Sequence, residues 1–300
     1  MYGIIDFCTM KIIITGSLGN ISKPLAETLL AKGHSVVVIS TDQKKQTAIE
    51  ALGAHAAIGS VTDVGFLTVT FTGADAVYAI VPPNFAAPDP IAYYEQIGYS
   101  YREAIRASGI KRVVVLSSWG AHLAEGTGII VGSHRVEEIF KKLEGVAITF
   151  LRPCSFYNNL YHYVDIIKNT GFIATNYGGE DKVVWVSPKD IAEAVSEELL
   201  CASGRLVRYV ASDERSCNEV ASILGAVIGK PDLKWLAFND EQVKATMEQH
   251  GVPSLMAGLL TELNTAIRTG LIRQDYDLHQ PELGKVKVED FALEFALAFN

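Results

Sequence analysis

The sequence predicts a doubly wound α/β fold, in which helices cover both faces of a parallel sheet. Short runs of apolar, β-branched residues alternate with segments of helical periodicity through the first half of the chain. The runs are apolar throughout, which is typical of strands that are buried on both faces. Each run is followed by a helical segment, and such βαβ units place their strands parallel in one sheet.

The first half contains six predicted strands, each followed by a helix or a turn. In the first helix Ile21, Leu25 and Leu29 fall four residues apart on one face, and Gly33 is a natural end. The strands are predicted at 11–15, 35–39, 54–59, 74–80, 111–118 and 146–153. The helices are predicted at 20–33, 42–53, from 63 onward, 90–108 and 128–143.

After Pro153 the pattern becomes irregular. We predict an N-terminal extension at 1–10, a dinucleotide-binding domain at 11–153, and a smaller, mostly helical part at 154–300 that is free to return segments to the sheet. Ligands of open parallel sheets bind at the carboxyl ends of the strands, so we expect the second part to shape a substrate cleft there. Its predicted elements are a strand at 205–210 and helices near 188–200, 216–229, 239–250, 254–269 and 289–298.

Composition narrows the class of protein. The 300 residues are 49% hydrophobic and 20% charged, which indicates a globular chain. A net charge of -8 argues against nucleic acid as a partner, and no apolar run is long enough for a membrane span. Four scattered cysteines without CxxC spacing and a start without a secretory signal indicate reduced thiols in a cytoplasm. The histidines show no metal-binding spacing, so no metal is expected.

The stretch TGSLGNIS, residues 15–22, joins the first strand to the first helix. At this place the free N–H groups and the dipole of a helix favour an anion. Gly16 permits a tight turn and Gly19 permits close approach of a pyrophosphate, although the spacing is G-x-x-G and not G-x-G-x-x-G. Ser22 stands where a third glycine would pack against the strand, and we expect it to loosen that contact slightly. The turn favours dinucleotide binding over an ordinary turn without a ligand.

The end of the second strand bears on the choice between NAD and NADP. An acid that binds the ribose is expected there, and Asp42 comes slightly late, where capping the next helix is the favoured role. Thr41, Lys44 and Lys45 could hold a 2′-phosphate, although such lysines are usually just solvated. The residues lean slightly to NADP and leave NAD open.

Several segments together resemble the NmrA-like branch of the atypical extended short-chain dehydrogenases/reductases. The resemblance runs from Lys11 to near the C-terminus, and its most specific parts are LRPCSFYNN and the pair Ser117-Ser118. It implies a Rossmann-like domain that binds NAD(P) and a small C-terminal substrate domain. The other segments are TGSLGNISKPLAETLLAKGH, VVVLSSWGA, GSHRVEEIFKKL and VSPKDIAEAV.

The resemblance also implies positions for the cofactor. Thr41 takes the place where the family often has an arginine, which weakens the case for NADP. The pyrophosphate falls on the turn, the adenosine ribose at the end of the second strand and adenine after the third. Ribose or nicotinamide lies at the end of the fourth strand, and nicotinamide lies along 153–156. The implied residues are Gly16, Leu18, Gly19, Asn20, Ile21, Thr41, Ser60, Val61, Val81, Pro82, Ser117, His134, Pro153 and Phe156.

The catalytic pattern of active short-chain dehydrogenases is absent. Ile130 and His134 stand at the places of the tyrosine and lysine of Tyr-x-x-x-Lys. His134 could hold ribose hydroxyls or relay a proton, or be an ordinary helix histidine, and the two interpretations are balanced. Glu137 and Glu138 are interpreted as solvated charges.

The substrate cleft is expected to be flat and aromatic. Trp119, Phe156 and Tyr157 follow strand ends and could line it, with core packing as the commoner role of such rings. Asn159, beside Asn158, could bind a carbonyl group.

These features favour an NAD(P)H-dependent oxidoreductase that acts on a small carbonyl or quinone. The first alternative is an NAD(P)-binding redox sensor that acts through a protein partner, and the missing Tyr-x-x-x-Lys favours it. A sugar-nucleotide epimerase or dehydratase ranks last, because it needs that tyrosine and lysine. A homo-oligomer or a protein partner stays open.

Overall fold

The fold is described from a computed structural model for residues 9–84, 86–201 and 204–299. The first eight residues of the expected N-terminal extension lie outside this described part. The strands are β1 (Lys11–Ile14), β2 (Ser35–Ser40), β3 (His55–Ile58), β4 (Ala76–Ala79), β5 (Arg112–Leu116), β6 (Ala147–Pro153), β7 (Ser155–Phe156), β8 (Phe172–Thr175), β9 (Lys182–Val186), β10 (Val207–Val210), β11 (Asp213–Ser216) and β12 (Lys234–Ala237).

The central sheet has seven strands in the order β10-β6-β5-β4-β1-β2-β3, and all its neighbours pair parallel. The strand order reverses between β1 and β4, since β2 and β3 lie on one side of β1 while β4, β5 and β6 lie on the other. The doubly wound prediction is therefore confirmed. A crevice opens at such a reversal, outside the carboxyl ends of the strands.

Several helices begin at a residue whose side chain caps them. Asp63 accepts a hydrogen bond from the Phe66 amide at the start of α3, and Asp89 caps α4 in the same way. The helices are α1 (Ser22–Ala31), α2 (Gln46–Ala51), α3 (Val64–Phe71), α4 (Pro90–Ser108), α5 (Ile130–Phe140), α6 (Val164–Thr170), α7 (Pro188–Leu200), α8 (Cys217–Val227), α9 (Asp240–Gln249), α10 (Ser254–Arg268), α11 (Gln274–Leu278) and α12 (Val288–Phe299). Short 3-10 helices lie at Gln43–Lys45, Tyr157–Tyr163 and Leu271–Arg273.

The C-terminal half contains more strands than the sequence predicted. The antiparallel pair β11–β9 and the short parallel pair β7–β9 form a three-stranded sheet, and β12 pairs with β8. The description of this half as mostly helical is therefore incomplete. These strands have two to five residues, so each is too short to show a hydrophobic period, and each is held by a partner distant in the chain.

The C-terminal half also completes the central sheet. β10 pairs with β6 at its edge, and α7 packs beside α1. One apolar cluster contains Ile12, Tyr157 and Phe295, so the core crosses residue 153. The domain boundary at that residue stays a prediction.

The loop after β5 is covered by C-terminal helices, as expected for a part that packs over the carboxyl ends of the strands. Gly128 has φ +57°, and a Cβ there would lie 1.8 Å from the carbonyl oxygen of Leu259 in α10. Only glycine allows this approach of two backbones. Among the described residues no helix combines the length and the apolar character of a membrane span.

Candidate functional site

The glycine turn between β1 and α1 lies at the reversal of strand order. Gly16 has φ +90°, a conformation that favours glycine, and a Cβ there would lie 2.8 Å from Ser22 Oγ and 2.9 Å from Ile80 Cγ2. Ile80 follows β4, so the turn packs directly against the neighbouring strand end. Gly16 is therefore required by both the backbone conformation and the lack of space.

Ser22 tightens the turn instead of loosening it, so that expectation is wrong. Its side chain is buried, and its hydroxyl donates a 2.8 Å hydrogen bond to the carbonyl of Thr15. The Thr15 hydroxyl in turn donates to the carbonyl of Tyr78 and accepts from the amide of Ile80. Serine is small enough for the third-glycine position, and its hydroxyl ties the start of α1 to β1.

Ser17 connects the turn to β2. Its φ of 55° is the one positive value among the non-glycine residues that the structure describes. Its amide donates to the carbonyl of Ile39 at 3.0 Å, and its hydroxyl lies 3.0 Å from Ser40 Oγ. Such a conformation costs free energy unless the surroundings hold it. The two contacts fix the turn against the end of β2.

The predicted pyrophosphate residues surround this turn. Gly19 and Asn20 are exposed, Leu18 is half-buried, and Ile21 is buried as the N-cap residue of α1. The exposed tip of the turn therefore stands at the start of α1, where an anion is favoured.

At the end of β2 the Asp42 carboxylate accepts a 2.9 Å hydrogen bond from the Lys44 amide. The predicted capping role of Asp42 is confirmed, with the difference that the helix begins as a 3-10 turn. Thr41, Lys44 and Lys45 are exposed. The end of β2 thus presents hydroxyl and ammonium groups to solvent, while its carboxylate is bonded to the main chain.

The next strand ends carry the other residues assigned to the cofactor. After β3, Ser60 is half-buried with its hydroxyl 2.7 Å from Thr62 Oγ1, and Val61 is buried. After β4, Val81 is buried and Pro82 is half-buried. All of them lie at the carboxyl edge that carries the glycine turn.

A buried ionic cluster lies behind the end of β5. The Ser117 hydroxyl donates to Glu137 Oε1 at 2.6 Å, and Arg152 donates to Glu137 Oε1 and Oε2 at 2.9 and 2.7 Å. Glu137 has 0% exposure, so its interpretation as a solvated charge is wrong. Glu138 does match that interpretation, since it is partly exposed and pairs with Lys141 at 2.7 Å.

The cluster continues to the C-terminal half. Arg152 also donates to Asp275 Oδ2 at 3.0 Å and to the Tyr209 hydroxyl at 3.2 Å. Burial opposes the charge of Arg152, but its hydrogen bonds with Glu137 and the attraction of that carboxylate outweigh burial and raise its pKa. Arg152, Tyr209 and Asp275 line a cleft of ≈ 850 Å³ beside β10.

The sequence carries one signal of this cluster, which the predictions above did not include. Arg152 is the one charged residue of the buried strand β6, and a buried charge requires a partner. The identity of that partner could not be read, because Asp275 lies far along the chain and Glu137 lies next to another glutamate.

His134 is half-buried on α5, and its Nδ1 donates to the carbonyl of Ala121 at 2.9 Å. It therefore anchors the loop that follows β5 through one ring nitrogen. Ile130 begins the same helix and supplies no acid or base.

His122, in that loop, is a second residue that sequence analysis missed. Both of its ring nitrogens are buried without a hydrogen-bond partner among the described residues. Burial lowers its pKa, and the nearby Asp275 carboxylate partly opposes the change. Burial therefore disfavours the charged form of His122, and no local pattern in the sequence marked this residue.

The aromatic rings assigned to the substrate differ in burial. Tyr157 has 0% exposure and stacks between Trp185 and Phe291, and Trp119 is buried edge-on against Tyr276. Core packing therefore describes both, and the prediction that they line an open cleft is wrong.

The remaining substrate candidates follow the end of β6. Phe156 is half-buried and Asn159 is exposed. The carbonyl of Pro153 accepts the Trp119 amide at 3.1 Å, which joins the ends of β5 and β6. The neighbouring strands β5 and β6 therefore bring three predicted residues to the edge of the sheet that carries the glycine turn, namely Ser117, Pro153 and Phe156.

Comparisons with known proteins agree with this architecture. An NAD(P)H azoreductase from Xenophilus azovorans is 26% identical over 255 residues, which cover 84% of this chain and 85% of that protein. The structure of a triphenylmethane reductase from Citrobacter sp. aligns with a TM-score of 0.79 at 19% identity, covering 96% of this chain and 99% of the other. An NADPH-dependent quinone oxidoreductase from Escherichia coli aligns with a TM-score of 0.75 at 18% identity, covering 94% and 98%.

The two structural likenesses, at these identities, show the fold. The NmrA-like family itself matches residues 8–276, which include every strand, the glycine turn and the ionic cluster. The chain therefore belongs to the NmrA-like family.

Proposed function

We propose that the chain is an NAD(P)H-dependent oxidoreductase that reduces a small carbonyl or quinone. The observation that carries the proposal is the turn at Gly16, closed against Ser22 and Ile80 at the reversal of strand order in a parallel sheet. The azoreductase and quinone oxidoreductase among its relatives support a reducing activity on conjugated molecules.

The residues present fit a dinucleotide. The missing Cβ at Gly16 leaves the turn tight, and the exposed tip at Gly19 and Asn20 meets the start of α1, where backbone N–H groups would hold the pyrophosphate. Hydroxyls of Ser40, Thr41 and Ser60 lie toward β2 and β3, where the adenosine half belongs.

The nicotinamide half belongs on the other side of the reversal, over the ends of β4, β5 and β6. Val81, Pro82, Ser117, Pro153 and Phe156 would surround it there. A bound reduced nicotinamide supplies a hydride, and the chain's residues then need to position the acceptor and exclude water. Phe156 offers a half-buried apolar ring, and the exposed Asn159 offers an amide for a carbonyl oxygen.

Binding and turnover are tested separately. Calorimetry with NADPH and NADH measures affinity, and the absorbance of the reduced nicotinamide follows turnover with quinones, aldehydes and azo dyes. We expect affinity for at least one cofactor and its oxidation by at least one acceptor. Tight binding without oxidation by any acceptor would favour the redox-sensor alternative, and absence of binding would overturn both.

A matched pair of variants assigns the site. Gly16→Ala should lose at least about tenfold in cofactor affinity, because its methyl group meets Ser22 and Ile80 in a left-handed backbone. Gly33→Ala has the same backbone strain at φ +84° but nothing within 4 Å, so it should bind normally. Equal affinities of the two variants would contradict the assignment of the turn.

We further propose a cytoplasmic location, since Cys154 and Cys217 are buried as thiols. A homo-oligomer or a protein partner stays a proposal, and analytical ultracentrifugation of the full chain with and without NADPH tests it.

A further inference from the structure

Ser117 occupies a place in the proposed nicotinamide half of the site, and its environment fixes the direction of its hydrogen bond. It follows β5, and its amide donates to the carbonyl of Leu151 in β6 at 2.8 Å. The residue is 8% exposed, and its position directly after β5 places it at the carboxyl edge. The hydrogen bond to Leu151 fixes the backbone of Ser117, so the hydroxyl is the group whose orientation can vary.

The Ser117 hydroxyl donates its proton in a hydrogen bond to Glu137. The distance of 2.6 Å lies in the range of charge-assisted O–H···O⁻ bonds. Glu137 accepts two parallel N–H bonds from the Arg152 guanidinium, at 2.9 and 2.7 Å, which is the bidentate geometry of an arginine–carboxylate pair. An ionised carboxylate accepts hydrogen bonds and does not donate them, and the serine must therefore be the donor.

This polarity decides what Ser117 can do for a ligand. Its single proton faces Glu137, so toward the carboxyl edge it offers only oxygen lone pairs. It can accept an N–H or O–H group there, and it cannot protonate a substrate without breaking the bond to Glu137. The nicotinamide half of the cofactor carries one N–H donor group, its carboxamide, besides the hydroxyls of its ribose.

We propose that Ser117 accepts the carboxamide N–H of the cofactor, and that Glu137, held by Arg152, is the positioning residue that fixes the serine as an acceptor. The inference rests on the proposed function. It also assigns the proton of the reaction to a group other than Ser117.

The test compares NADP⁺, or NAD⁺ if that binds more tightly, with its 3-acetylpyridine analogue, which has a methyl group in place of the carboxamide NH₂. One neutral hydrogen bond corresponds to about three- to tenfold in affinity, so calorimetry of the wild-type chain should show the analogue weaker by that factor. Ser117→Ala should bring the ratio close to one, while Ser117→Thr, which keeps the hydroxyl, should retain it.

Controls separate this inference from the proposed function and from general damage. 2′,5′-ADP, or ADP if NAD⁺ is the ligand, lacks the nicotinamide half and should bind every variant equally. Ser100→Ala removes a similarly buried hydroxyl that bonds within α4, and it should keep the wild-type ratio. Glu137→Gln, where it folds, should lower the ratio, because a glutamine amide can donate to Ser117 and reverse its hydroxyl.

The outcomes are distinct. A wild-type ratio near one, or a Ser117→Ala variant that keeps the wild-type ratio, overturns the inference while the proposed function stands. Failure of the wild-type chain to bind either dinucleotide overturns the proposed function itself.

Discussion

The two halves of the carboxyl edge are built from different kinds of interaction. On the side of β1 and β2, main-chain groups and the hydroxyls of Thr15, Ser17 and Ser22 hold the glycine turn. On the side of β5 and β6, a buried carboxylate and a buried guanidinium hold Ser117. Neutral hydrogen bonds contribute about 1 kcal/mol each, whereas a buried ion left without its partner costs several times more. Substitutions on the β1 and β2 side should therefore each lower the free energy of unfolding by a small amount. Loss of one charged partner on the β5 and β6 side should lower it by several times more.

The strongest expected effect comes from Arg152→Met. It removes the guanidinium that pairs with the fully buried Glu137 at 2.7 Å and leaves the Lys141 ammonium 4.0 Å away. We expect a loss of about 3–5 kcal/mol in the free energy of unfolding, measured in urea. Arg106→Met, which breaks an exposed pair with Glu103, should cost less than about 1 kcal/mol. Equal losses in the two variants would show that the buried ion pair contributes no more to the free energy of unfolding than the exposed one.

Ser22→Ala tests the opposite half. It removes the 2.8 Å bond to Thr15 and leaves a buried carbonyl short of a donor, so the free energy of unfolding should fall by about 1–2 kcal/mol. Ser100→Ala provides a control, because its hydroxyl bonds to a carbonyl within its own helix. A loss at Ser22 as large as that at Arg152 would erase the difference between the two halves.

His122 gives the β5 side a pH dependence. Burial lowers its pKa, so the folded chain binds fewer protons than the unfolded chain as pH falls below the usual value of 6.5. The contribution of the uncharged His122 to the free energy of unfolding is fully present above that value. It should decline toward pH 5, by at most about 1.4 kcal/mol per pH unit. Urea unfolding from pH 7.5 to 5 should show a smaller decline for His122→Asn than for the wild-type chain.

A second histidine does not disturb that comparison. His34 also has a lowered pKa, from burial and from Lys32, and it contributes a decline of the same sign in both chains. An identical decline in His122→Asn and in the wild-type chain would contradict the prediction.

The smallest effect is expected at Glu138, beside the buried Glu137. The hydrogen bond with Lys141 lowers the Glu138 pKa, but the pair is largely exposed and solvent screens it. Glu138→Gln should change the free energy of unfolding by less than about 0.5 kcal/mol in urea. A loss above 2 kcal/mol would mean that the two neighbouring glutamates share one environment.

The same comparison explains how much the sequence revealed. The six strands of the first half and the glycine turn were predictable, because apolar runs, Gly16 and capping acids such as Asp63 act on residues close in the chain. The contacts of Arg152 with Glu137 and Asp275 were not, since they depend on which helices the fold brings to β6. The burial of Trp119 and Tyr157 depends on tertiary packing in the same way.

The pairing of β10 with β6 has a consequence for synthesis. A growing chain that has passed Pro153 still presents β6 as an open edge, until Val207–Val210 has left the ribosome and paired with it. Open strand edges invite pairing with other chains, and the long connection between the two strands delays closure. Slowed elongation through the intervening segment would therefore lengthen the interval in which nascent chains depend on chaperones.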